Sequence, residues 1–374
     1  MTPDAEVVVV GAGPAGSALA AMLGEAGVGT VLLDSARFPR DKPCGEGLMP
    51  AGVRVLQKLG FELDSFPALG GVTYRVPGAG TARGDFLNGS TGRGIRRLAF
   101  DEQLARRAAA TPHVQASFGC EVAGLEDHVV TTSTGDVRAR YVVGADGLHS
   151  QVARWMGWSR PARRPYRYAL VGHAAAPGHG IDRVMVTLLE GCEVYTAPTG
   201  LDELLVAVLG SKQGLRRDGE AARDAYARHV GAAHPELSLG EVAVRGAGPF
   251  WKRPAQVAGA GVFLIGDAAG FLDPLTGDGI SDALVAASRL SEILASRAAD
   301  PEHAYRSWEA AQWRRRTFVS RLARLLTGSS ALATRALRRM QHRPVTLNRL
   351  LEVNDGSRSL WTLSVRDWAA LAGV

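Results

Sequence analysis

The chain has 374 residues, 46% of them hydrophobic and 21% charged, with a net charge of +6 and a pI near 9.5. That length can bury a large core in two or three subdomains, and no apolar run approaches the ~18–20 residues that span a bilayer. Three cysteines (Cys44, Cys120, Cys192), odd in number and without a CxxC, argue against a disulfide framework or a zinc site.

Residues 1–6 carry acids where a signal peptide needs positive charge, so a cytoplasmic protein is expected. Glu6-Val7-Val8-Val9-Val10 is the β-branched run of a buried parallel strand. Gly11-Ala12-Gly13-Pro14-Ala15-Gly16 follows at once and enters an Ala/Leu-rich helix. The next strand, Thr30-Val31-Leu32-Leu33-Asp34, ends in an acid about 20 residues downstream. In such a unit Gly11 makes the turn, Gly13 lets a pyrophosphate approach, Gly16 permits helix–strand packing and Asp34 meets a ribose. A dinucleotide site is predicted, without separating NAD from FAD.

Residues 37–50 form a charged loop holding Cys44-Gly45-Glu46-Gly47, which leads into a helix near Ala51. Arg97 stands where a loop enters an amphipathic helix, 120–125 reads as a strand, and 140–152 as a strand followed by an Asp146-Gly147 turn. From 161 to 250 short alternating runs predict antiparallel strands, with a helix over 223–230. The run 262–265 is again a buried strand. After it, Gly266-Asp267 through Pro274, Gly277, Gly279 and Ile280 forms a turn before a good helix former. Such a turn presents free backbone N–H groups and the positive end of a helix dipole. Asp267 would offer its carboxylate to a hydroxylated chain, and Gly277 and Gly279 would lie flat against a ring. Beyond residue 300 the chain is helical and arginine-rich. This is either a solvated basic face over an apolar stripe or a docking surface for an acidic carrier protein or an anionic membrane. No nucleic-acid motif accompanies the charge, so no nucleic-acid partner is expected.

In this order the segments resemble the FAD-dependent family that holds aromatic-ring hydroxylases (group A flavin monooxygenases), geranylgeranyl reductases and flavin-dependent halogenases. The resemblance covers roughly residues 6–290. It implies an α/β fold: a Rossmann-like FAD-binding domain of the para-hydroxybenzoate-hydroxylase kind, an inserted antiparallel substrate sheet and C-terminal helices. The expected boundaries are 1–64, 96–160 and 251–300 for the FAD domain, 65–95 and 161–250 for the sheet, and 301–374 for the helical region. FAD would be held non-covalently by the 11–16 turn (Gly11, Gly13, Ala15, Gly16), by Asp34 and by the ribityl-and-flavin segment (Gly266, Asp267, Pro274, Gly277, Gly279, Ile280). The loop 44–47 resembles both the Cys-Gly-Gly-Gly loop of the reductases and the Gly-Glu-Ser-Leu loop of the halogenases, which would put Cys44, Gly45 and Gly47 beside the isoalloxazine. The bland reading of Cys44 is a small buried residue. Arg97 would reach back to the cofactor, or else pair with Asp101; Val122 would flank the adenine. Asp146-Gly147 matches the hydroxylase segment tied to both FAD and an NAD(P)H donor, but the Arg that closes that pattern is replaced here by Ala153.

The resemblance implies first a monooxygenase of the secondary-metabolism type, using O2 and a flavin C4a-hydroperoxide to hydroxylate or epoxidise an apolar or aromatic small molecule. Second comes a reductase of isoprenoid-type double bonds, although Tyr195-Thr196-Ala197-Pro198 lacks the Trp and Phe of the reductase strand. A halogenase is third, since its paired tryptophans are absent, and a flavin-binding subunit with little turnover is the non-enzymatic alternative. Cys44, Glu46 and Tyr195 are the candidates for residues facing the substrate. No metal site is expected, and neither His149 nor His173 has a partner identifiable from sequence.

Overall fold

The computed structural model describes residues 4–163, 166–237 and 240–373. Strand β1 (Ala5–Val10) is buried along most of its length, and the glycine turn after it opens helix α1 (Pro14–Glu25), with Pro14 in the first turn where a missing N–H costs nothing. Then come β2 (Thr30–Asp34), α2 (Pro50–Lys58), β3 (Gly71–Val76), β4 (Gly80–Asp85), α3 (Arg97–Ala109), β5 (Val114–Phe118) and β6 (Gly135–Gly144). Strands β7 (Tyr168–Ala175), β8 (Val184–Leu189), β9 (Cys192–Pro198) and β10 (Glu203–Gly210) precede α4 (Ala222–Ala233), β11 (Arg245–Ala247) and β12 (Val262–Leu264). The chain closes with α5 (Gly279–Ala295), α6 (Pro301–Thr327), α7 (Ser330–Gln341), α8 (Pro344–Asn354) and α9 (Val365–Ala372).

Two sheets organise these elements. In the first, β1 lies between β2 and β6, with β5 beyond β2 and β12 beyond β6, all parallel. Both faces are covered, which is why its strands are nearly continuous runs of Val, Leu and Ile. Helices α1 and α5 pack side by side against it through Ala and Gly.

The second sheet runs β11-β7-β10-β9-β8-β3-β4, antiparallel except for the parallel β8–β3 pair, and so unites residues 71–85 with residues 168–247. Successive side chains of its strands alternate between two cores. Val194, Val206 and Val208 meet α4, whereas Tyr195, Ala197, Leu205 and Ala207 meet α7 and the flank of the first domain. The C-terminal helices are therefore part of the sheet's own core: Ala333, Ala336, Leu337, Met340 and Leu347 pack into it. Among the described residues no helix is long and apolar enough to cross a membrane.

Candidate active site

Three glycine-bearing turns, far apart in sequence, meet at the carboxyl edge of the first sheet. Gly11 has φ +104°, and a Cβ there would stand 2.5 Å from the Ala145 carbonyl oxygen, so the 11–16 turn is pressed against the Asp146-Gly147 turn. A Cβ on Gly266 would stand 3.2 Å from that of Ala15, which puts the third turn beside the start of α1. Gly13 caps α1 without a side-chain acceptor, leaving the first N–H groups of the helix for an anion. At the end of β2 the Asp34 carboxylate is fixed by the backbone N–H groups of Ala12 (2.7 Å) and Ala36 (2.8 Å). The Cys120 N–H donates to the Asp34 carbonyl at 3.0 Å, which carries Val122 past the same strand end. Asp146 caps the helical turn 151–155 with one oxygen, accepting from Gln151 (2.6 Å) and Val152 (3.1 Å); its Oδ1 is buried without a partner. The half-buried Asp267 carboxylate takes no hydrogen bond from the described residues.

Arg97 is only 5% exposed and is held by Asp101 through two hydrogen bonds of 2.6 Å, with Cys44 on its other side. Of the two roles expected for it, the structure displays the Asp101 pair. The cation that reaches the ribose acid is Arg40, 3.6 Å from Asp34 and 3.5 Å from Asp101. Sequence reasoning left Arg40 unassigned because it sits in a loop crowded with charges. Burial pushes the Cys44 thiol above its usual range even with the Arg97 cation beside it, so Cys44 keeps its proton. Glu46, at φ +53° and 1% exposed, is a non-glycine residue in left-handed backbone. Its carboxylate accepts from the Arg97 N–H (2.9 Å), contacts Arg96 (3.3 Å) and lies 2.7 Å from His173 Nε2 on β7. His173 thus has a partner after all, 127 residues away in the chain. The loop 41–46 is stitched to the second sheet by this pair and by the Asp41–Arg245 pair at 3.6 Å.

Tyr195 stands where the two halves of the site face one another. A Cβ on Gly45 would lie 3.4 Å from its ring, one on Gly277 3.5 Å from its hydroxyl, and one on Gly47 would collide with that hydroxyl. Met49, at the end of the same loop, donates its N–H to Ser281 Oγ at 2.8 Å and so ties the loop to α5. Beside Tyr195 is a cavity of about 10 Å³, walled mainly by Met49, Val72, Phe86, Val184, Val186 and Leu275. Its polar members are Tyr74, Tyr195, Thr276, Asp278 and, from the end of α8 and the residue after it, Asn354 and Asp355. A second cavity of about 50 Å³ lies between the 266–279 segment and α6 and shares Asp278 and Asn354 as a wall. Pro274 opens the short turn that carries Leu275 into this region, and Ile280 is buried at the start of α5.

Two buried polar atoms at the first cavity, Tyr195 Oη and Asp278 Oδ1, have no partner among the described residues. The other Asp278 oxygen accepts from Asn354 Nδ2. Burial, and then the neighbouring Asp282, raises the Asp278 carboxyl well above the usual carboxylate range, which favours its neutral form. Burial also lifts the Tyr74 phenol to about 12. Asp278 stands between Gly277 and Gly279 in the sequence and was given no role there; its partner Asn354 on α8 is 76 residues away. At the outer rim, Lys252 Nζ lies 3.2 Å from His149 Nδ1, with Lys42 against Gly147 and Arg154 nearby. Burial and these cations depress the His149 imidazole. Ala153, where the family pattern has Arg, is buried, and its N–H bonds to Ser150.

The parallel sheet, the uncapped α1 terminus and the converging turns define a dinucleotide-binding flavoprotein. The chain belongs to the FAD binding domain family, whose pattern it matches over residues 4–316. It is 30% identical to the menaquinone reductase of Mycobacterium tuberculosis over 98% of this chain and 94% of that one. It is 29% identical to the digeranylgeranylglycerophospholipid reductase of Methanothrix thermoacetophila over 78% and 77%. Among solved structures it resembles the flavin-dependent brominase Bmp2 (TM-score 0.81, 20% identity, 97% and 96% covered). It also resembles PqsL of Pseudomonas aeruginosa, described as a probable FAD-dependent monooxygenase (TM-score 0.74, 22% identity, 92% and 99% covered). The fold class expected from the sequence is the one found, and the protein is an FAD-dependent oxidoreductase. The residues present fit FAD: a free helix terminus for the pyrophosphate, an oriented Asp34, and glycines whose side-chain positions are already filled by neighbouring atoms.

Proposed function

We propose that this protein is an FAD-dependent reductase that saturates a carbon–carbon double bond in an apolar, isoprenoid-type substrate, with NAD(P)H as the electron source. The observation that carries the reading is Asp278: a carboxyl that burial raises well above the usual carboxylate range, with one unpartnered oxygen among the described residues, in the wall of a small cavity of mixed apolar and polar lining, directly after Gly277. Reducing an isolated double bond takes a hydride equivalent at one carbon and a proton at the other. Bound FAD, once reduced, supplies the hydride. The chain must hold the proton in a dry place at neutral pH, which a carboxylate of ordinary acidity cannot do. Asp278 Oδ1 is that place, and the protonated Cys44 is a second reserve across Tyr195. Tyr195 and the aliphatic wall exclude water and orient the chain of the substrate. His149, Lys252, Lys42 and Arg154, a cluster with no ion-pair partner among the described residues, suit the phosphates of the nicotinamide donor. The resemblance in sequence to reductases of prenylated molecules supports the same reading.

The monooxygenase, which the sequence put first, becomes the second reading, favoured by the Asp146-Gly147 turn pressed on Gly11. The two separate cleanly by experiment. Incubated without oxygen with NADPH and a geranylgeranyl lipid or a polyprenyl quinone, the protein should add two hydrogens to the substrate. A product gaining one oxygen atom, formed only in air, would replace this reading with the monooxygenase. Asp278→Asn should keep FAD but lower turnover by about 10²–10⁴-fold.

A further inference from the structure

The arginine-rich C-terminal region carries a surface that the flavin chemistry does not use. Between residues 310 and 351 the chain has ten arginines and no acid, more positive charge than the net +6 of the whole molecule. On α6 the outward stripe is Arg314, Phe318, Arg321 and Leu325, spaced by four, three and four residues and so on one face. Leu325 is 66% exposed. Phe318 packs edge-on against Trp368 of α9, ring centroids 6.2 Å apart, which joins the two helices into one face. In the turn before α9 and at its start, Trp361 is 91% and Val365 85% exposed, and Arg366 follows. Among the described residues Arg314, Arg321, Arg335, Arg339 and Arg366 form no ion pair, and the one acid of α9, Asp367, is buried and bonded to Thr346 and Arg349.

We infer that this face seats the protein on the surface of an anionic lipid membrane, with Trp361, Val365 and Leu325 in the interfacial layer and the arginines on lipid headgroups. Isolated exposed apolar residues are ordinary, but several on two helices joined by the Phe318–Trp368 contact, with cations on the same helices that form no ion pair among the described residues, are not. Tryptophan at the rim and arginine beside it are the side chains of interfacial anchoring. A symmetric second copy on the same face would set the arginine stripes against each other, so charge complementarity selects an anionic occupant. The inference is independent of which reaction the flavin performs.

The test is co-sedimentation of the full, FAD-loaded chain with vesicles of phosphatidylcholine alone or with about 30 mol% phosphatidylglycerol. Binding to the anionic vesicles should be at least about tenfold stronger and should fall away at about 0.5 M salt, with a blue shift of tryptophan emission on binding. Trp361→Ser with Val365→Ser, and separately Arg314→Glu with Arg321→Glu, should each reduce the bound fraction about tenfold. Both variants should keep the parent's yellow colour and melting temperature, which separates lost binding from lost folding. Equal sedimentation of parent and variants, or no vesicle binding by the parent, overturns the inference. So does light scattering that shows a dimer dissolved by Trp361→Ser with vesicle binding unchanged.

Discussion

At the scale of single residues, the site rests on a few polar atoms whose partners the fold withholds. The Asp267 carboxylate has no hydrogen bond to keep among the described residues, so Asp267→Ala should fold normally yet lose most of its flavin absorbance after purification; a fully yellow variant would remove it from the cofactor site. Tyr195 Oη is buried and has no partner among the described residues. Tyr195→Phe should therefore melt at the parent's temperature or slightly above, since removing an unsatisfied group costs little. Asp278 makes a sharper case. Unfolded, it titrates near 3.8; folded, well above that. Between those values the native state holds a proton that the unfolded state has released, so stability falls as pH rises through the window. Asp278→Asn has nothing to release. Relative to the parent it should gain up to about 1.4 kcal/mol per pH unit upward from about pH 4, until the folded value is passed. Parallel melts at several pH values would show it, and a constant difference would mean that Asp278 is ionised in the fold.

At the scale of elements, legibility followed the range of the interaction. The turn 11–16, Asp34 and the segment 266–280 could be read because each is a local strand–turn–helix whose glycines answer a local steric demand. Arg40, His173 and Asn354 could not be placed, since their roles come from residues brought over from other elements: Asp101, Glu46 and Asp278. Helix α9 shows how strongly such ties act. Ser364 and Asp367 form a reciprocal cap at its start, and the same buried carboxylate accepts from Thr346 (2.9 Å) and Arg349 (2.7 Å). These bonds hold the Asp367 carboxyl well below the usual range despite burial. Asp367→Ala should cost about 3–5 kcal/mol by leaving Arg349 and Thr346 without their acceptor, read as a lowered melting temperature at pH 7. Because the folded value is depressed, that contribution is intact above about pH 4 and disappears as acid is added below it. The parent and variant should therefore converge in acid.

For the molecule as a whole, the alternation of cores shows where the helices of the expected C-terminal region, 301–374, bury their apolar faces. Periodicity shows that α7 has an apolar face but not what it faces; the face is the second sheet's own core, around Tyr195 and Val184. Composition could show that arginines dominate residues 310–351, but only the packing of Phe318 on Trp368 reveals that they surround exposed aromatics. Because FAD touches only the assembled state, its binding should raise the stability of the entire chain, by about 2.7 kcal/mol at a hundredfold excess over Kd. Melting temperature should climb with added FAD and plateau for Asp267→Ala.

The cradle's contributions run from Gly11 to Ile280, and β12, which completes the parallel sheet, comes only just before the last of them. At ordinary translation speeds a ribosome needs roughly 15–50 s between those two points. For the first half of that interval the nascent glycine turn lacks the Ala145–Gly147 turn it presses against, and until 266–280 follow the cradle cannot close on a vitamin-derived ligand. Cellular riboflavin would then set how much of this polypeptide survives quality control after release, as well as how much of the surviving pool can turn over.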